Sequence, residues 1–420
     1  MRNSRLIVAA SFAVLAVTAS GCSGSTPGGN STSGNGRGPI TFATGKDTTG
    51  KLQGLLDQWN KAHPSEKVTL VELSENADDQ RNAMVQNFQA KSSRFDVVNS
   101  DVVWTAEFAA RHWIQSLDGS IDTSGLLPAT VATATYNGKL YAAPFTSDGG
   151  LLYYRKDLVA RAPRTWAALK IDCAIAKQHK MGCYAGQFAQ YEGLTVNVSE
   201  AIDSAGGSIL KNSGKKVTVD SPQAKVGLDF LVNGFKQGYI PSEAITYQEE
   251  DARRAFQQGH LLFMRNWPYV YNLAQAQGKD SVVQNKFAVA PLPGPNGPGS
   301  STLGGHNLAL SSYSKHPKSA IDWMKFMESA NIQRKLLTQL SNAPVVASLY
   351  DDPKLQQQVP YLATLKQSIL SAKTRPVTPV YNEVTLAIEK NSYAALQGKK
   401  SVDQALKDMA ADIKRAAADN

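Results

Sequence analysis

The sequence predicts an α/β fold that extends over more than one domain. At about 150 residues per domain, its 420 residues suggest roughly two to three domains. The first half of the chain alternates short apolar runs with helical stripes. Hydrophobic residues make up 42% and charged residues 19% of the chain, which is typical of a globular protein. This composition excludes a wholly disordered, collagenous or polytopic membrane protein.

The N-terminal residues predict an export signal. Arg2 and Arg5 precede an uncharged, largely apolar segment, residues 6–19, which is too short to cross ~30 Å of hydrocarbon as a helix. Residues 1–21 are therefore predicted to be a signal peptide. The Ser-Gly-Cys motif that ends at Cys22 resembles a bacterial lipobox, which would make this cysteine the acylated first residue of a lipoprotein on the outer face of the bacterial cell membrane. Ordinary cleavage that leaves a free thiol is the alternative.

A low-complexity segment follows the signal. Residues 22–39 are mostly Gly, Ser, Thr, Asn and Pro, a composition that buries too little apolar surface to fold, so they are predicted to form a flexible tether. The formal charge of the chain is +9, and two of these positive charges leave with the signal. The remaining basic residues form no stripe of the kind that phosphate binding requires, so no nucleic-acid partner is expected.

Two cysteines lie in the body of the chain. Cys173 and Cys183 are expected to form a disulfide, because an exported protein folds in an oxidising compartment. A zinc site is the alternative, but no paired histidines lie nearby to complete four ligands, and His179 is expected at the surface. No metal and no cofactor are therefore expected.

Strands and helices alternate from residue 40 onwards. Apolar residues at i, i+3, i+4 and i+7 between Leu52 and Trp59 predict a helix. The other predicted elements are strands at 40–43, 68–73 and 95–98 and helices at 79–90 and after Asp101. This alternation predicts a largely parallel sheet covered on both faces, with ligands beyond the carboxyl ends of its strands. The polar segments that follow these strands are expected to face one crevice: residues 45–47, 76–80 and 100–101.

Two later stretches predict crossings of the chain between lobes. The first, residues 144–150, leads into an apolar strand at 151–154. The second, residues 291–306, is rich in proline and glycine and leads into a short strand at 308–310. The segment between them is richer in helical patterns.

Four motifs resemble a known family. They are residues 101–109 (DVVWTAEFA), 139–144 (KLYAAP), 265–269 (RNWPY) and 375–381 (RPVTPVY). Together they are similar to the extracellular solute-binding proteins of carbohydrate ABC importers, the maltose-binding type, and most similar to its trehalose/maltose branch. The resemblance covers nearly all of the predicted mature chain.

The resemblance implies a two-lobed periplasmic-binding-protein-like fold of type II, in which each lobe is a mostly parallel sheet flanked by helices and the ligand cleft lies at the hinge. Lobe 1 would comprise residues 40–147 and 308–348, and lobe 2 residues 148–307 and 349–420. The implied partners are a small-molecule carbohydrate and the permease subunits of an ABC importer with a cytoplasmic ATPase. A monomer is expected.

The resemblance also implies a set of sugar-binding residues. Sugars need fixed partners for their hydroxyl groups and an aromatic surface for their C–H faces. The residues that match the family's motifs are Asp101, Asp148, Glu249, Trp267, Gly305, His306 and Arg375, with Asp79, Gln80, Tyr191 and Glu192 as weaker candidates.

Several of these residues also have a structural interpretation. Asp101 could cap a helix that begins at Val102, because Asp is a favourable N-cap residue. Trp267 could belong to the core, and Arg375 could form a purely structural salt bridge. Either Glu249 or the adjacent Glu250 could face the ligand.

Two other functions remain as alternatives to sugar binding without catalysis. An exported glycoside hydrolase would use paired carboxylates across a cleft, and Glu249 with Asp101 or Asp148 could form such a pair. A metal or peptide receptor on the same fold is the second alternative, but the sequence contains no His-Glu-x-x-His motif. The sequence also contains no P-loop, so ATP binding is not expected.

Overall fold

The structure is built around two β-sheets with helices on their faces. The computed structural model describes residues 36–211 and 216–418; the predicted signal peptide, Cys22 and most of the predicted tether lie outside the described residues. The strands are β1 (Ile40–Thr44), β2 (Val68–Glu72), β3 (Val97–Asp101), β4 (Thr135–Tyr136), β5 (Lys139–Leu140), β6 (Ala142–Thr146), β7 (Leu151–Arg155), β8 (Gly182–Ala185), β9 (Leu210–Lys211), β10 (Lys216–Val217), β11 (Leu261–Asn266), β12 (Phe287–Ala290), β13 (Thr302–Leu303), β14 (His306–Leu310) and β15 (Lys373–Thr374). The helices are α1 (Leu52–Ala62), α2 (Ala77–Gln89), α3 (Thr105–Ala110), α4 (Pro128–Thr133), α5 (Trp166–Gln178), α6 (Glu192–Ser204), α7 (Pro222–Gln237), α8 (Glu249–Gln257), α9 (Val270–Ala274), α10 (Pro317–Glu328), α11 (Ala330–Leu340), α12 (Pro353–Gln358), α13 (Leu362–Ser371), α14 (Tyr381–Leu396) and α15 (Val402–Ala418).

The sheet of the first lobe has the strand order β2-β1-β3-β14-β6. β1 is parallel to β2 and β3, as the alternation of strands and helices predicts. β14 is antiparallel to both β3 and β6, so the largely parallel sheet expected from that alternation is a mixed one. The direction of β14 follows from its route: it returns directly from the second lobe, starting beside the end of β3, without the helical crossover that a parallel connection needs.

The sheet of the second lobe has the order β12-β7-β11-β8. β11 is parallel to β8 but antiparallel to β7, which is in turn antiparallel to β12. This sheet is therefore also mixed. The α/β fold predicted from the sequence is confirmed. The local sequence pattern did not predict which strands are antiparallel.

Each sheet lies in a separate hydrophobic core. In the first lobe the Phe42 ring packs 4.7 Å from that of Trp323, and the predicted stripe of α1 is buried against the sheet. In the second lobe Tyr153 and Phe256 pack with ring centroids 6.1 Å apart. Separate cores allow the lobes to move relative to each other as rigid bodies.

The predicted crossings between the lobes lie side by side. The Asp148 N–H donates to the Gly304 carbonyl at 3.3 Å, and the Gly304 N–H donates to the Asp148 carbonyl at 2.8 Å. A third segment joins them, because the Ser147 N–H donates to the Ala343 carbonyl at 3.0 Å. The crossings therefore form one hydrogen-bonded hinge at the base of the cleft.

The second lobe contains a disulfide between Cys173 in α5 and Cys183 in β8. The Cα atoms of the two cysteines are 5.1 Å apart, and His179, between them in the sequence, is exposed. The bond links a helix on the face of the sheet to a strand within it.

The end of the predicted tether needs a correction. Residues 36–39 pack on the first lobe: Arg37 forms ion pairs with Glu66 and Asp322, and the Gly36 carbonyl accepts from Lys318 N–H at 2.9 Å. Composition alone predicted a flexible tether as far as residue 39. The ion pairs of Arg37 instead attach residues 36–39 to the first lobe. Within residues 36–211 and 216–418, no helix combines the length and apolar character that crossing a bilayer requires.

Candidate functional site

A cavity of about 330 Å³ opens between the two lobes, a volume within the range of small-molecule sites. The first lobe contributes the loop after β1 and the end of β3, and the second contributes the first turns of α6 and α8 and the loop after β11. The cavity brings together all the principal predicted site residues, together with the weaker candidates Gln80 and Glu192: Asp101, Asp148, Glu249, Trp267, Gly305, His306 and Arg375.

Arg375 joins the two lobes across this cavity. Its side chain is 2% exposed, and its guanidinium bonds Asp101 of the first lobe at 2.8 Å and Glu192 of the second at 2.6 Å. Its Nε is a buried donor without a hydrogen-bond partner among the described residues. Arg375 therefore forms the structural ion pairs that were one of its two predicted roles, and it is also part of the cavity wall.

Glu192 receives the other end of this network. Its carboxylate also accepts from Tyr381 Oη at 2.5 Å and Thr385 Oγ1 at 2.7 Å. Burial nevertheless raises the pKa of Glu192 to about 7, and the neighbouring Asp101 adds to this rise while Arg375 opposes it. The ion pair is thus strongest in the pH range in which Glu192 is deprotonated.

Asp148 lies at the hinge with no cation paired to it in the described part of the chain. Burial raises the pKa of Asp148 to about 7, and a backbone hydrogen bond from Ala343 offsets part of this effect. Near neutral pH this residue can therefore either accept or donate a hydrogen bond to a ligand.

The choice between Glu249 and Glu250 follows from their partners. Both oxygens of Glu250 are held by the protein, Oε1 by Tyr269 Oη at 2.7 Å and Oε2 by Arg253 Nε at 2.8 Å. Glu249 accepts from Tyr191 Oη at 2.6 Å, and burial raises its pKa. Glu249 is the carboxylate with more capacity left for a ligand.

Trp267 sits in the loop that follows β11. The Arg265 guanidinium carbon lies 3.8 Å from the centroid of the Trp267 ring, and the Trp267 carbonyl accepts from Tyr153 Oη at 2.8 Å. Its ring lines the cavity. It is therefore part of the cavity wall and not a residue of the closed core.

Gly305 and His306 bring the second crossing into the cavity wall. Gly305 has φ +100°, and a Cβ there would lie 2.1 Å from the Thr146 carbonyl oxygen, so the close approach of the two crossings requires glycine. The next residue, His306, donates its N–H to Thr146 Oγ1 at 3.0 Å. Burial lowers the pKa of His306, which favours a neutral imidazole at the cavity.

Asp79 does not belong to the cavity wall. It is exposed, and its carboxylate accepts from Ser74 Oγ at 3.0 Å. Gln80, one residue later, lines the cavity instead. One residue along a helix turns a side chain by about 100°, so only Gln80 of these two adjacent candidates reaches the cavity.

The predicted helix cap at Asp101 is also corrected. α3 begins at Thr105, because residues 102–104 form a turn. Asp101 Oδ1 accepts from the Val103 N–H at 3.1 Å within that turn, while both carboxylate oxygens bond Arg375. The carboxylate orders the turn and the ion pair together.

Sequence reasoning missed several residues that line the cavity: Asn99, Trp104, Tyr269 and Asn342. Asn99 could have been found, since it precedes Asp101 by two positions in β3 and so projects from the same face of the strand. Its Oδ1 is buried without a partner among the described residues, while its Nδ2 donates to Thr44 Oγ1 at 2.9 Å. Asn342 follows α11, far from every other site residue in the sequence, and no local pattern marks it.

The cavity wall therefore combines two kinds of group. Asp148 and Glu249 contribute carboxyl groups, and Trp267 contributes an aromatic ring. A buried carboxyl group with a raised pKa would also suit the general acid of a glycosidase, so geometry alone does not separate binding from catalysis.

Comparison with known proteins separates them. A family model described as bacterial extracellular solute-binding protein matches residues 45–334. The chain belongs to this family. Proteins of this family bind solutes outside the cytoplasm and carry out no catalysis, so this solute-binding protein is not an enzyme, and the hydrolase alternative is set aside.

Individual relatives cover most of the chain. A probable ABC transporter-binding protein of Deinococcus radiodurans is 35% identical over 377 residues, which are 86% of this chain and 88% of that protein. The solved structure of maltose-bound MalE3 from T. maritima is 33% identical to this chain in sequence. The match covers 90% of this chain and 99% of the MalE3 chain, with a TM-score of 0.84. A Thermotoga lettingae ABC transporter solute-binding protein, bound with α-D-tagatose, shares the fold at 22% identity, with coverage of 90% and 99% and a TM-score of 0.82.

The raised pKa of Asp148 predicts how the Asp148→Asn variant changes stability with pH. The folded protein holds this proton up to about pH 7, whereas an unfolded chain releases it near pH 4, so deprotonation of Asp148 destabilises the fold as pH rises between these values. The free energy of unfolding of Asp148→Asn relative to wild type should therefore increase by about 2 kcal/mol from pH 5 to pH 8. Urea unfolding at both values measures it.

Asp408→Asn is the matched control. Hydrogen bonds from the side chains of Lys400 and Gln404 lower the pKa of Asp408, so this carboxylate stays ionised from pH 5 to pH 8 in both states. Its stability relative to wild type should not change with pH. The same pH dependence in both variants would contradict the assignment to Asp148.

Proposed function

We propose that this solute-binding protein captures an uncharged sugar, an α-linked disaccharide such as trehalose or maltose, in the cleft between its lobes. The observation that carries this proposal is the Trp267 ring, which faces a cavity lined by Asp148 and Glu249. An aromatic ring suits the C–H face of a sugar, and carboxylates accept from its hydroxyl groups. The motifs of the trehalose/maltose branch and the maltose bound by MalE3 support this class of ligand.

The carboxyl groups of the cavity wall favour a ligand rich in hydroxyl groups. Asp148 and Glu249 line the cavity, and a carboxylate accepts hydrogen bonds from hydroxyl groups. A ligand with several hydroxyl groups can therefore bond both residues. The alternative of a peptide or metal receptor has no comparable support in this cavity.

The two lobes explain how binding becomes a signal. A sugar that contacts both lobes gains its full set of contacts only when they are closed, so binding shifts the population towards the closed form. Arg375 adds a contact of the same kind, because it pairs with Asp101 of the first lobe from the second. Sugar and ion pair therefore stabilise the same arrangement.

Delivery follows from the family and from the N-terminus. The closed monomer would dock on the permease subunits of an ABC importer, whose cytoplasmic ATPase supplies the energy for uptake, and would release the sugar intact. A lipid on Cys22 would anchor the protein to the outer face of the cell membrane. The segment between this anchor and residue 36 would let the body reach its permease.

A sugar panel tests the function directly. We expect trehalose or maltose to bind with saturable calorimetric heat, to compact the protein in small-angle X-ray scattering, and to be recovered unchanged in mass spectrometry. Sugar acids of similar size should bind more weakly, because the cavity contains several carboxylates. The proposal fails if no disaccharide binds or if the sugar is recovered cleaved.

Replacing Trp267 tests the stacking surface. Trp267→Ala should weaken disaccharide binding by about 1–3 kcal/mol, because the aromatic contact is lost, and calorimetry measures the change. Trp267→Phe, which keeps an aromatic ring, is the control and should lose less. Equal affinity for wild type and Trp267→Ala would remove Trp267 from the site.

Replacing Cys22 tests the anchor. Cys22→Ser removes the only atom to which the lipid could be attached at this motif, so the full-length variant should leave the membrane fraction and appear in the soluble fraction. Wild type should be extracted from membranes only by detergent. A variant that still sediments with membranes would contradict lipid anchoring at Cys22.

A further inference from the structure

Arg265 is a buried cation beside the cavity that does not line it. Arg265 is 1% exposed. Its guanidinium donates two hydrogen bonds to Glu200, from Nε at 2.8 Å and from Nη2 at 2.7 Å. Its Nη1 donates to Gln187 Oε1 at 3.0 Å. These bonds fix the plane of the guanidinium.

That plane is placed against the Trp267 ring. A guanidinium carbon 3.8 Å from a ring centroid is in stacking contact with one face of the ring, and a desolvated cation–π contact is among the stronger ones. Arg265 therefore occupies this face of Trp267. A ligand in the cavity has the opposite face available.

The backbone leaves space for this arrangement at Gly150. A Cβ at Gly150 would lie 2.5 Å from Glu200 Oε1 and 2.9 Å from Arg265 Nη2, so the ion pair packs directly against the main chain of the first crossing. Glu200 Oε1 also accepts from the Thr302 N–H at 3.1 Å. The ion pair is thus fastened to both crossings.

The edge of the Trp267 ring rests on Gly304. A Cβ at Gly304 would lie 2.7 Å from Cη2 and 2.8 Å from Cζ3 of the indole. Gly304 does not have the positive φ that disfavours other residues, so contact with the ring is the steric limit on a side chain here. One face and one edge of the indole are therefore held by the protein.

We propose that Arg265, held by Glu200 and Gln187, is a positioning residue that fixes the Trp267 ring before ligand arrives and closes one of its faces, so that a single sugar ring stacks on the other. This inference rests on the proposed sugar-binding function. A buried ion pair adds little net stability compared with apolar residues of the same size. Its effect here is preorganisation, which reduces the ordering cost of binding.

A mutant cycle between Arg265 and Trp267 tests the proposal. Arg265→Lys keeps a charge for Glu200 but loses the planar face, so it should weaken disaccharide binding by about 5- to 30-fold in calorimetry. In the Trp267→Ala background the same substitution should change the affinity less than about twofold. Equal losses in both backgrounds, or wild-type affinity of Arg265→Lys, would overturn the positioning role.

Gly304→Ala probes the edge of the ring independently and leaves the ion pair in place. In the otherwise wild-type protein, the added methyl group should displace the indole and weaken disaccharide binding. In a protein that already carries Trp267→Ala, it should have no such effect. Gly54→Ala is the control, because a Cβ there meets nothing within 4 Å, and its affinity should equal that of wild type. If Gly304→Ala weakens binding equally in both backgrounds, it acts on the hinge and the proposed contact is wrong.

A spectroscopic measurement removes the dependence on any one ligand. The protein is labelled with 5-fluorotryptophan, and the ¹⁹F resonance of Trp267 is identified as the one missing from the Trp267→Phe spectrum. This resonance should be narrow in the ligand-free wild type and broadened or shifted in Arg265→Lys. Should Arg265→Lys fail to fold, Glu200→Gln replaces it, because the amide oxygen still accepts from Thr302 while the hold on the guanidinium weakens. An unchanged resonance in the folded variant would overturn the proposal.

The outcomes separate this inference from the proposed function. Full affinity in Trp267→Ala would refute the stacking surface itself. Weak binding by Trp267→Ala together with normal binding by Arg265→Lys would refute only the positioning role. If no sugar binds, the proposed function fails, and the resonance of Trp267 still decides whether Arg265 fixes the ring.

Discussion

The arrangement of the cleft depends on one guanidinium shared between two carboxylates. Arg375 links Asp101, at the end of a strand in the first lobe, to Glu192, at the start of a helix in the second. All three side chains are largely buried, and separating them without compensation would leave charges in a medium of low dielectric. The relative position of the lobes and the electrostatics of the site are therefore coupled through the same atoms.

Burial also shifts two carboxyl groups of the cleft towards their neutral forms. It raises the pKa of Glu192 to about 7, and the neighbouring Asp101 adds to this rise while Arg375 opposes it. It raises the pKa of Asp148, which has no cation paired to it among the described residues, to about 7 as well. The buried Arg265 guanidinium lowers the pKa of Asp148 only in part, because it pairs with Glu200. Near neutral pH the carboxyl groups of Asp148 and Glu192 are therefore partly protonated, and a protonated carboxyl group both donates and accepts hydrogen bonds, as the hydroxyl groups of a neutral ligand do.

Sequence patterns predicted the elements of this fold better than their directions. The stripe of α1 and the parallel pairing of β1 with its neighbours follow from local periodicity. The antiparallel insertion of β14 does not, because it depends on where the chain returns from the other lobe. The tether was extended too far for a similar reason, since the ion pairs of Arg37 join it to residues distant in the sequence.

The site shows the same division between local and distant information. Motif resemblance found the main residues of the cavity. Asp79 was wrong because the sequence does not give the orientation of its side chain, and Asn342 was missed because its proximity to the site depends on long-range contacts. The pairing of Arg375 with Asp101 spans 274 positions, and no periodic pattern contains it. The residue types of the site could be predicted from the sequence. Which partner each polar atom bonds could be learned only from the three-dimensional structure.

The position of β14 has a consequence for how the chain acquires its structure. This strand lies between β3 and β6 in the first sheet, yet it is synthesised after all four strands of the second sheet. In a chain that emerges N-terminus first, the edges of β3 and β6 that pair with β14 lack this partner until residues 306–310 are made. Exposed edges invite pairing with other chains, so the interval before this strand arrives is when the growing polypeptide is most vulnerable to aggregation.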